Sequence, residues 1–278
     1  MNKIYRIIIS AAILILPQLA SAQFYVTGDD PGKARWYSIE TDNFKIIYPE
    51  KTDSLARVYA EKLEKYRIPV SRTAGYLFSG YKMPVVMHAY NAANGSVAWA
   101  PKRMDLFTIP SAYNPEPMPW STMLSVHESR HVAQMQFGMT DNLKPGNWFF
   151  GQMFNILASL LYPSIERMEG DAVIIETALT PSGRGRTADF LNYYWVAFDQ
   201  GDYRSWVKWR FPSQKYYGPD YYSLGYLTVG GMRYLYGCTD YMATGYNRAA
   251  HKPQNLMTFN KLDREISGKK REAMFQEI

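Results

Sequence analysis

The sequence WSTMLSVHESRHVAQMQFG, which runs from Trp120 to Gly138, decides how the remainder of the chain is interpreted. Apolar residues recur along it at the spacing of a helix, Ser121 is a residue type that caps a helix start, and Gly138 is one that ends a helix. We therefore expect one helix here. Residues four apart on a helix share a face, with Cβ atoms about 5–6 Å apart, so His127 and His131 point the same way.

Glu128 directly follows the first of these histidines and completes an H-E-x-x-H pattern. In zinc hydrolases with this pattern the two imidazoles hold Zn²⁺, and the glutamate acts as general base on a water molecule. The chain contains four histidines, and two of them belong to the pattern. The alternative is a solvated helix face that bears these residues by coincidence, which a third ligand further along the chain would argue against.

A catalytic zinc ion has three protein ligands and one open position. The continuation H-E-x-x-H-x-x-G-x-x-H would supply a third histidine, but Gln134 and Phe137 occupy the positions of its glycine and its histidine. The other common solution is a carboxylate from a later helix. Apolar spacing predicts such a helix over residues 165–179, and it carries four candidate ligands: Glu166, Glu169, Asp171 and Glu176.

The segment Glu169-Gly170-Asp171-Ala172 resembles the E-G-x-A signature of the gluzincin metallopeptidases. The resemblance implies that Glu169 is the third zinc ligand, beside His127 and His131. It also implies that the small residues Gly170 and Ala172 allow this helix to approach the H-E-x-x-H helix closely. The gap from His131 to Glu169 is 38 positions (169 − 131), longer than in the aminopeptidase-type families.

A second likeness lies at Tyr222-Ser-Leu-Gly225, which is similar to the Y-x-K-G segment of aminopeptidase-like gluzincins, with Leu224 in place of the lysine. In those proteins the tyrosine hydroxyl donates to the oxyanion. The resemblance implies the same role for Tyr222, and a structural tyrosine is the alternative. The G-x-M-E-N segment that holds a substrate amino terminus in aminopeptidases is absent, and residues 94–101 stand in its place. Aminopeptidase specificity is therefore not expected.

Hydrophobic patterning along the chain predicts strands first and helices afterwards. Strands are expected at 36–40, 43–48, 84–89, 96–100 and 105–109, and a helix at 52–66. With the resemblance, this order predicts an α+β fold of thermolysin-like, gluzincin type: a β-rich part with a mixed sheet at about 23–112 and a mainly helical part at about 119–278. His88, on the third of these strands, is expected to be structural and not a ligand.

Residues 147–162, NWFFGQMFNILASLLY, form an apolar stretch with hydrophobic side chains nearly all round the predicted helix. A transmembrane helix needs about 20 apolar residues, and this stretch is shorter and interrupted. We therefore expect a buried helix. A lid, or a surface that touches a membrane or a partner, is the alternative.

Residues 1–22 have the form of a secretory signal peptide, in which Lys3 and Arg6 precede an apolar run and Ala20-Ser21-Ala22 forms a cleavage site. An uncleaved anchor is the alternative. We expect export to the periplasm, the outer membrane or the exterior, with 23–278 as the mature domain.

The single cysteine, Cys238, permits no intrachain disulfide. The net charge of +6 is scattered and no nucleic-acid-binding motif accompanies it, so no nucleic-acid partner is expected.

The expected function is hydrolysis of peptide bonds in a peptide or protein substrate, with Zn²⁺ as cofactor and Glu128 as general base. The resemblance extends to peptidase-MA-like domains of envelope bacteria, which can precede a TolB-like β-propeller in a longer protein. It implies that this chain is a fragment of such a protein, with a C-terminal propeller and an association with the cell envelope. Two alternatives stay open: an inactive gluzincin-fold binding or assembly module, and a polysaccharide-binding protein suggested by the 23 tyrosines.

Overall fold

The computed structural model describes residues 30–110 and 118–278. Within these ranges a five-stranded mixed sheet is followed by a helical half, which confirms the α+β class. The expected signal peptide at 1–22 lies outside the described residues. Among the residues that are described, none of the helices has the length and apolar character needed to cross a membrane.

The sheet contains β1 (Trp36–Glu40), β2 (Phe44–Pro49), β3 (Met83–Ala92), β4 (Ser96–Trp99) and β5 (Lys102–Ile109), in the spatial order β1-β2-β3-β5-β4. Strands β2, β3 and β5 run parallel, whereas β1 and β4 pair antiparallel at the two ends. Strand β5 therefore lies inside the sheet, and β4 forms an edge. Helix α1 (Asp53–Ser71) connects the parallel pair β2 and β3, as a parallel connection requires.

The helical half begins with α2 (Trp120–Met135), which contains the H-E-x-x-H residues, and continues through nine more helices of the described region. They are α3 (Lys144–Phe150), α4 (Gln152–Leu161), α5 (Ile165–Leu179), α6 (Ala188–Asp199), α7 (Trp206–Arg210), α8 (Tyr221–Gly230), α9 (Tyr241–His251), α10 (Thr258–Ser267) and α11 (Arg271–Phe275). A π-helical turn, Gly231–Leu235, extends α8.

Helix α2 runs through the centre of the molecule, and every residue from Met123 to Met135 is buried. It packs against α1 on one side and α5 on the other. Its buried Arg130 donates from Nε to Asp171 Oδ2 of α5 at 2.6 Å, and Arg233 pairs with the other oxygen of Asp171 at 3.3 Å. A buried guanidinium is tolerated only when it is paired, so this network fixes α5 against α2.

Helices α5 and α8 touch backbone to backbone. A Cβ atom placed on Gly170 would lie 1.9 Å from the carbonyl carbon of Gly225, and one placed on Gly225 would lie 1.7 Å from the carbonyl oxygen of Glu166. The helix that Gly170 approaches is therefore α8. The expectation that Gly170 allows a close approach to the H-E-x-x-H helix is wrong, because the contact between α2 and α5 is made through side chains such as Arg130 and Asp171.

The expectation of one buried helix at 147–162 is also wrong. Gly151, with φ 62° and ψ −149°, separates α3 from α4, and this left-handed conformation breaks a helix. Trp148 and Phe149 are 86% and 73% exposed. Helix α4 fully buries small and polar residues, including Asn155 and Ser159, while its three leucines, Leu157, Leu160 and Leu161, are exposed.

His88 is buried on β3, where its ring nitrogens hydrogen-bond to Asp30 and Asp105.

Candidate metal centre

The two histidines of α2 face one point. Their ring centroids are 4.6 Å apart, and His127 Nε2 lies 3.0 Å from His131 Nε2. Both side chains are buried because α2 runs through the core. One turn of helix separates them, so the helical spacing itself produces this convergence.

Glu169 of α5 reaches the same point. Its Oε2 atom lies 3.0 Å from His127 Nε2 and 3.1 Å from His131 Nε2. The ligand atoms of the three residues lie within 4.8 Å of one another, so the group could hold a metal ion. Tetrahedral zinc with bonds of about 2.0–2.1 Å sets its ligand atoms about 3.3 Å apart. The donor set and the spacing therefore both fit such an ion.

The three other candidate ligands of α5 have different partners. Glu166 accepts from Arg210 Nε at 2.9 Å, and Asp171 is held by Arg130. Glu176 lies behind His127, with Oε1 2.5 Å from His127 Nδ1, the nitrogen that faces away from Glu169. None of the three belongs to the group that could hold an ion.

Glu176 orients the first histidine. Because a carboxylate accepts the hydrogen bond from Nδ1–H, Nε2 is the nitrogen with which His127 would bind a metal, in exchange for a proton. Arg184 holds the carboxylate in turn, donating from Nε to Glu176 Oε2 at 2.9 Å. Burial opposes protonation of His127, but its hydrogen bonds with Glu169 and Glu176 outweigh that effect and raise the pKa of His127 to about 10. The surroundings of this ring thus favour a positive charge, which a bound cation would also provide.

Gln134 orients the second histidine. Its Oε1 accepts from His131 Nδ1 at 2.8 Å, which directs His131 Nε2 toward Glu169. The amide nitrogen of Gln134 donates to the Met168 carbonyl at 3.0 Å and to Asp171 Oδ2 at 2.8 Å. Gln134, which occupies the glycine position of the H-E-x-x-H-x-x-G-x-x-H pattern, therefore has a structural role of its own.

Glu128 lies beside the convergent atoms without joining them. It is buried, and burial raises the pKa of its carboxyl group. Its Oε2 atom has no hydrogen-bond partner among the described residues, so it is available to a water molecule. This placement of the Glu128 carboxylate requires a glycine at position 95, in the turn before β4. A Cβ atom there would lie 2.6 Å from Glu128 Oε1.

Tyr222, at the start of α8, faces the same region. Its ring centroid lies 6.0 Å from that of His127, and the guanidinium of Arg184 lies 5.2 Å above its ring. Burial, followed by the charge of Glu169, raises the pKa of Tyr222 well above its usual value. The phenol therefore stays protonated and can act as a hydrogen-bond donor.

A cavity of about 320 Å³ opens onto these residues. The start of β4 lines one part of it with Gly95, Ser96 and Val97, and α4 lines another with Ile156 and Leu160. A larger, more open depression of about 600 Å³ beside Asp141 and Arg248 shares no lining residue with it. The convergent side chains identify the smaller cavity as the functional candidate.

Sequence reasoning named Glu176 only as a candidate ligand and missed its role behind His127, and it did not select Arg184 or Gly95 at all. Glu176 is two helical turns from Glu169, so a periodicity of seven could have placed it on the same face of α5. Arg184 comes from the 3-10 turn Arg184–Arg186, and Gly95 comes from the turn before β4. No local pattern connects either of them with α2.

Comparison with known proteins does not assign the site, because no protein-family model matches the chain and no curated protein matches it.

Proposed function

We propose that the chain is an exported zinc-dependent peptidase of gluzincin type. The observation that supports it most is the convergence of His127, His131 and Glu169 on one point, with Glu128 beside them. Two imidazoles and one carboxylate are the ligand chemistry of catalytic zinc, and the second nitrogen of each imidazole is held by a further residue. When bound, zinc polarises the scissile carbonyl and acidifies water.

In this proposal Glu128 moves the proton. Its unpartnered Oε2 accepts a proton from the attacking water, and the carboxyl group then returns it to the departing amine. Burial supports this role, because a raised pKa brings the carboxyl group closer to the pH at which it must both accept and donate. The contact with Gly95 limits where the carboxylate can go.

Tyr222 is the proposed donor to the oxyanion. The protonated phenol borders the cavity near His127, where the carbonyl oxygen of a substrate would gain negative charge. Arg184 lies over the ring of Tyr222 and also holds Glu176. One arginine thus positions both the tyrosine and the carboxylate behind the first histidine.

The substrate is proposed to be an extended peptide or protein segment. Strand β4 is a sheet edge, and residues at its start line the cavity. Such an edge can pair with an extended chain through main-chain hydrogen bonds. Strand β5 (residues 105–109 of the sequence prediction) offers no such edge, because it is paired on both sides, with β3 and with β4.

Export, a cell-envelope location, a peptide or protein partner and a C-terminal propeller domain belong to the same proposal. The alternative function, an inactive binding or assembly module of the same fold, is favoured by the exposed aromatic residues Trp148 and Phe149. The presence of Glu128 beside all three candidate ligands favours the enzyme.

Metal content separates these functions first. We expect about one zinc per chain by mass spectrometry after reconstitution, and loss of it in His131→Ala and Glu169→Ala. Glu61→Gln, an exposed carboxylate of α1, serves as the control and should retain zinc. Zinc that persists in Glu169→Ala would show that the third ligand is wrong.

Peptide hydrolysis then tests the reaction. Glu128→Gln should keep its zinc and lose activity on a peptide library by about 10²–10⁴-fold, because the general base is gone. Unchanged hydrolysis in Glu128→Gln would contradict the mechanism. A wild-type chain that binds zinc and cleaves none of the library would support the binding module.

A further inference from the structure

Part of the cavity at the candidate metal centre is lined by apolar side chains from four elements, β4, α2, α4 and α5. These residues, which we call the apolar lining, are Val97, Met135, Ile156, Leu160, Ile165 and Met168. Met135 is buried, and Val97, Ile156 and Met168 pack against the same hydrophobic core. A cavity with mostly apolar walls and a few polar groups is the usual form of a binding site.

Ser159 of α4 places a hydroxyl group among these apolar residues. The serine lines the cavity and is only 4% exposed, and its Oγ atom has no hydrogen-bond partner among the described residues. A buried serine in a helix commonly donates to the carbonyl one turn earlier, as Ser125 does to Ser121 at 2.7 Å. A buried polar group without a partner is costly. We therefore expect an occupant of the cavity to complete this hydrogen bond.

The charges around the cavity favour a neutral side chain as the occupant. Its lining contains neither Lys nor Arg, and the carboxylates Glu128 and Glu169 belong to the candidate metal centre. An acidic side chain of a substrate would meet those carboxylates without a lysine or arginine to pair with. A basic side chain would bury its charge against the apolar lining, which is costly when the charge is unpaired.

An aromatic ring that ends in a hydroxyl group fits both kinds of lining residue. Met135 and Met168 supply two thioethers, which make favourable contacts with aromatic rings. A purely apolar side chain would leave Ser159 Oγ without a partner, whereas a phenol brings both a donor and an acceptor. The volume of about 320 Å³ lies at the low end of ligand pockets, so one large side chain is the expected load.

We propose that this cavity binds a tyrosine side chain of the peptide substrate, at a residue adjoining the scissile bond. The phenol O–H donates to Ser159 Oγ, and the ring packs against the apolar lining. Ser159 is then a residue that determines specificity. The assignment rests on the proposed function for the cleavage step, but the binding of tyrosine is measurable without cleavage.

Calorimetry on the zinc-reconstituted Glu128→Gln chain tests the binding. The probes are two alanine peptides that differ only in a single tyrosine or phenylalanine. We expect the tyrosine peptide to bind about tenfold more tightly. Adding Ser159→Ala should weaken the tyrosine peptide alone and make the two affinities equal. Ser129→Ala is the matched control, since this α2 serine is also buried without a partner but does not line the cavity; it should keep the preference.

Urea unfolding checks that Ser159→Ala keeps its fold. We expect stability equal to or above that of the wild type, because the hydroxyl has no partner to lose. Failure of the tyrosine peptide to bind, equal affinity for both peptides before Ser159 is changed, or a preference that survives Ser159→Ala would overturn the proposal.

Hydrolysis separates this inference from the peptidase function. The wild type should cleave the tyrosine peptide with a kcat/KM about tenfold above that for the phenylalanine peptide. Selective binding without any hydrolysis would keep the tyrosine site and remove the peptidase function. Hydrolysis of both peptides at one rate would keep the peptidase function and overturn the tyrosine site.

Discussion

Gly170 of α5 and Gly225 of α8 are in direct backbone contact, and no side chain fits between them. Glu169 is the neighbour of the first glycine, and Tyr222 lies three residues before the second, close to one helical turn. The crossing of the two helices therefore carries a candidate ligand and a candidate hydrogen-bond donor to the same cavity.

Gly225→Ala should damage both stability and the site. The new methyl would fall 1.7 Å from the Glu166 carbonyl oxygen, which is backbone and cannot rotate away. We expect a loss of about 3 kcal/mol or more in the free energy of unfolding, measured with urea. Gly230→Ala is the control on the same helix, because its methyl would meet only Ile174 Cδ1, at 3.8 Å, and should be neutral or slightly stabilising. Equal stability of the two variants would contradict the backbone contact.

Glu176→Gln should weaken metal binding without removing a ligand. The amide is a poorer acceptor for His127 Nδ1–H, and loss of such an outer partner costs about 10–100-fold in metal affinity. Competition with a chelator measures it. Glu166→Gln is the matched control, since this buried carboxylate of α5 pairs with Arg210; it should lower the melting temperature and leave metal affinity intact. A metal affinity lowered equally in both variants would indicate a general effect on α5.

Gly95→Ala should impair catalysis while the metal stays bound. A methyl at this position would lie 2.6 Å from Glu128 Oε1 and 2.8 Å from Leu124 Cδ2, so the carboxylate must move. Displacement of a general base by about 1 Å can cost about 10²-fold in rate. Peptide hydrolysis and zinc content, measured on the same sample, test this. Gly32→Ala, whose methyl would meet nothing within 4 Å, should behave as wild type.

Glu64 should contribute stability that acid removes. Burial would raise its pKa, but hydrogen bonds outweigh this and lower it, among them two from Asn43 at 2.8 Å. A carboxyl group whose folded pKa is lowered stabilises the fold above its unfolded value of 4.5, and the contribution is lost as pH falls through the folded pKa. Because the group is partly exposed, we expect no more than about 1 kcal/mol. Urea unfolding of wild type and Glu64→Gln should differ at about pH 7 and converge at about pH 3. A difference that persists in acid would assign the effect to packing.

The sequence predicted those residues of the site whose pattern is contained in a single helix. The i, i+4 spacing placed His127 and His131 on one face, and the E-G-x-A resemblance selected Glu169 from four carboxylates; the structure brings these three together. Local order was also predictable: alternating patterns preceded helical ones, and the structure has its strands before α2. Both signals are short-range, so a single sequence contains them.

What the sequence left open depends on contacts between distant elements. Gly95 matters only because the turn before β4 reaches Glu128, and Arg184 only because a turn after α5 returns behind His127.

The apolar stretch 147–162 was misjudged for a different reason. Hydrophobicity predicts burial only where the fold provides a partner, and α4 turns Asn155 and Ser159 to the protein instead.

Helices α2 and α5 would be crosslinked by an ion bound at the centre, since His131 and Glu169 are 38 positions apart in the chain. Closing a loop of that length removes conformational freedom from the unfolded chain that is equivalent to about 4 kcal/mol in the chain-entropy model. Cys238 is the one cysteine of the sequence, so no covalent bridge between side chains performs this task. Metal supply would then determine how long the folded protein persists, in addition to whether it reacts.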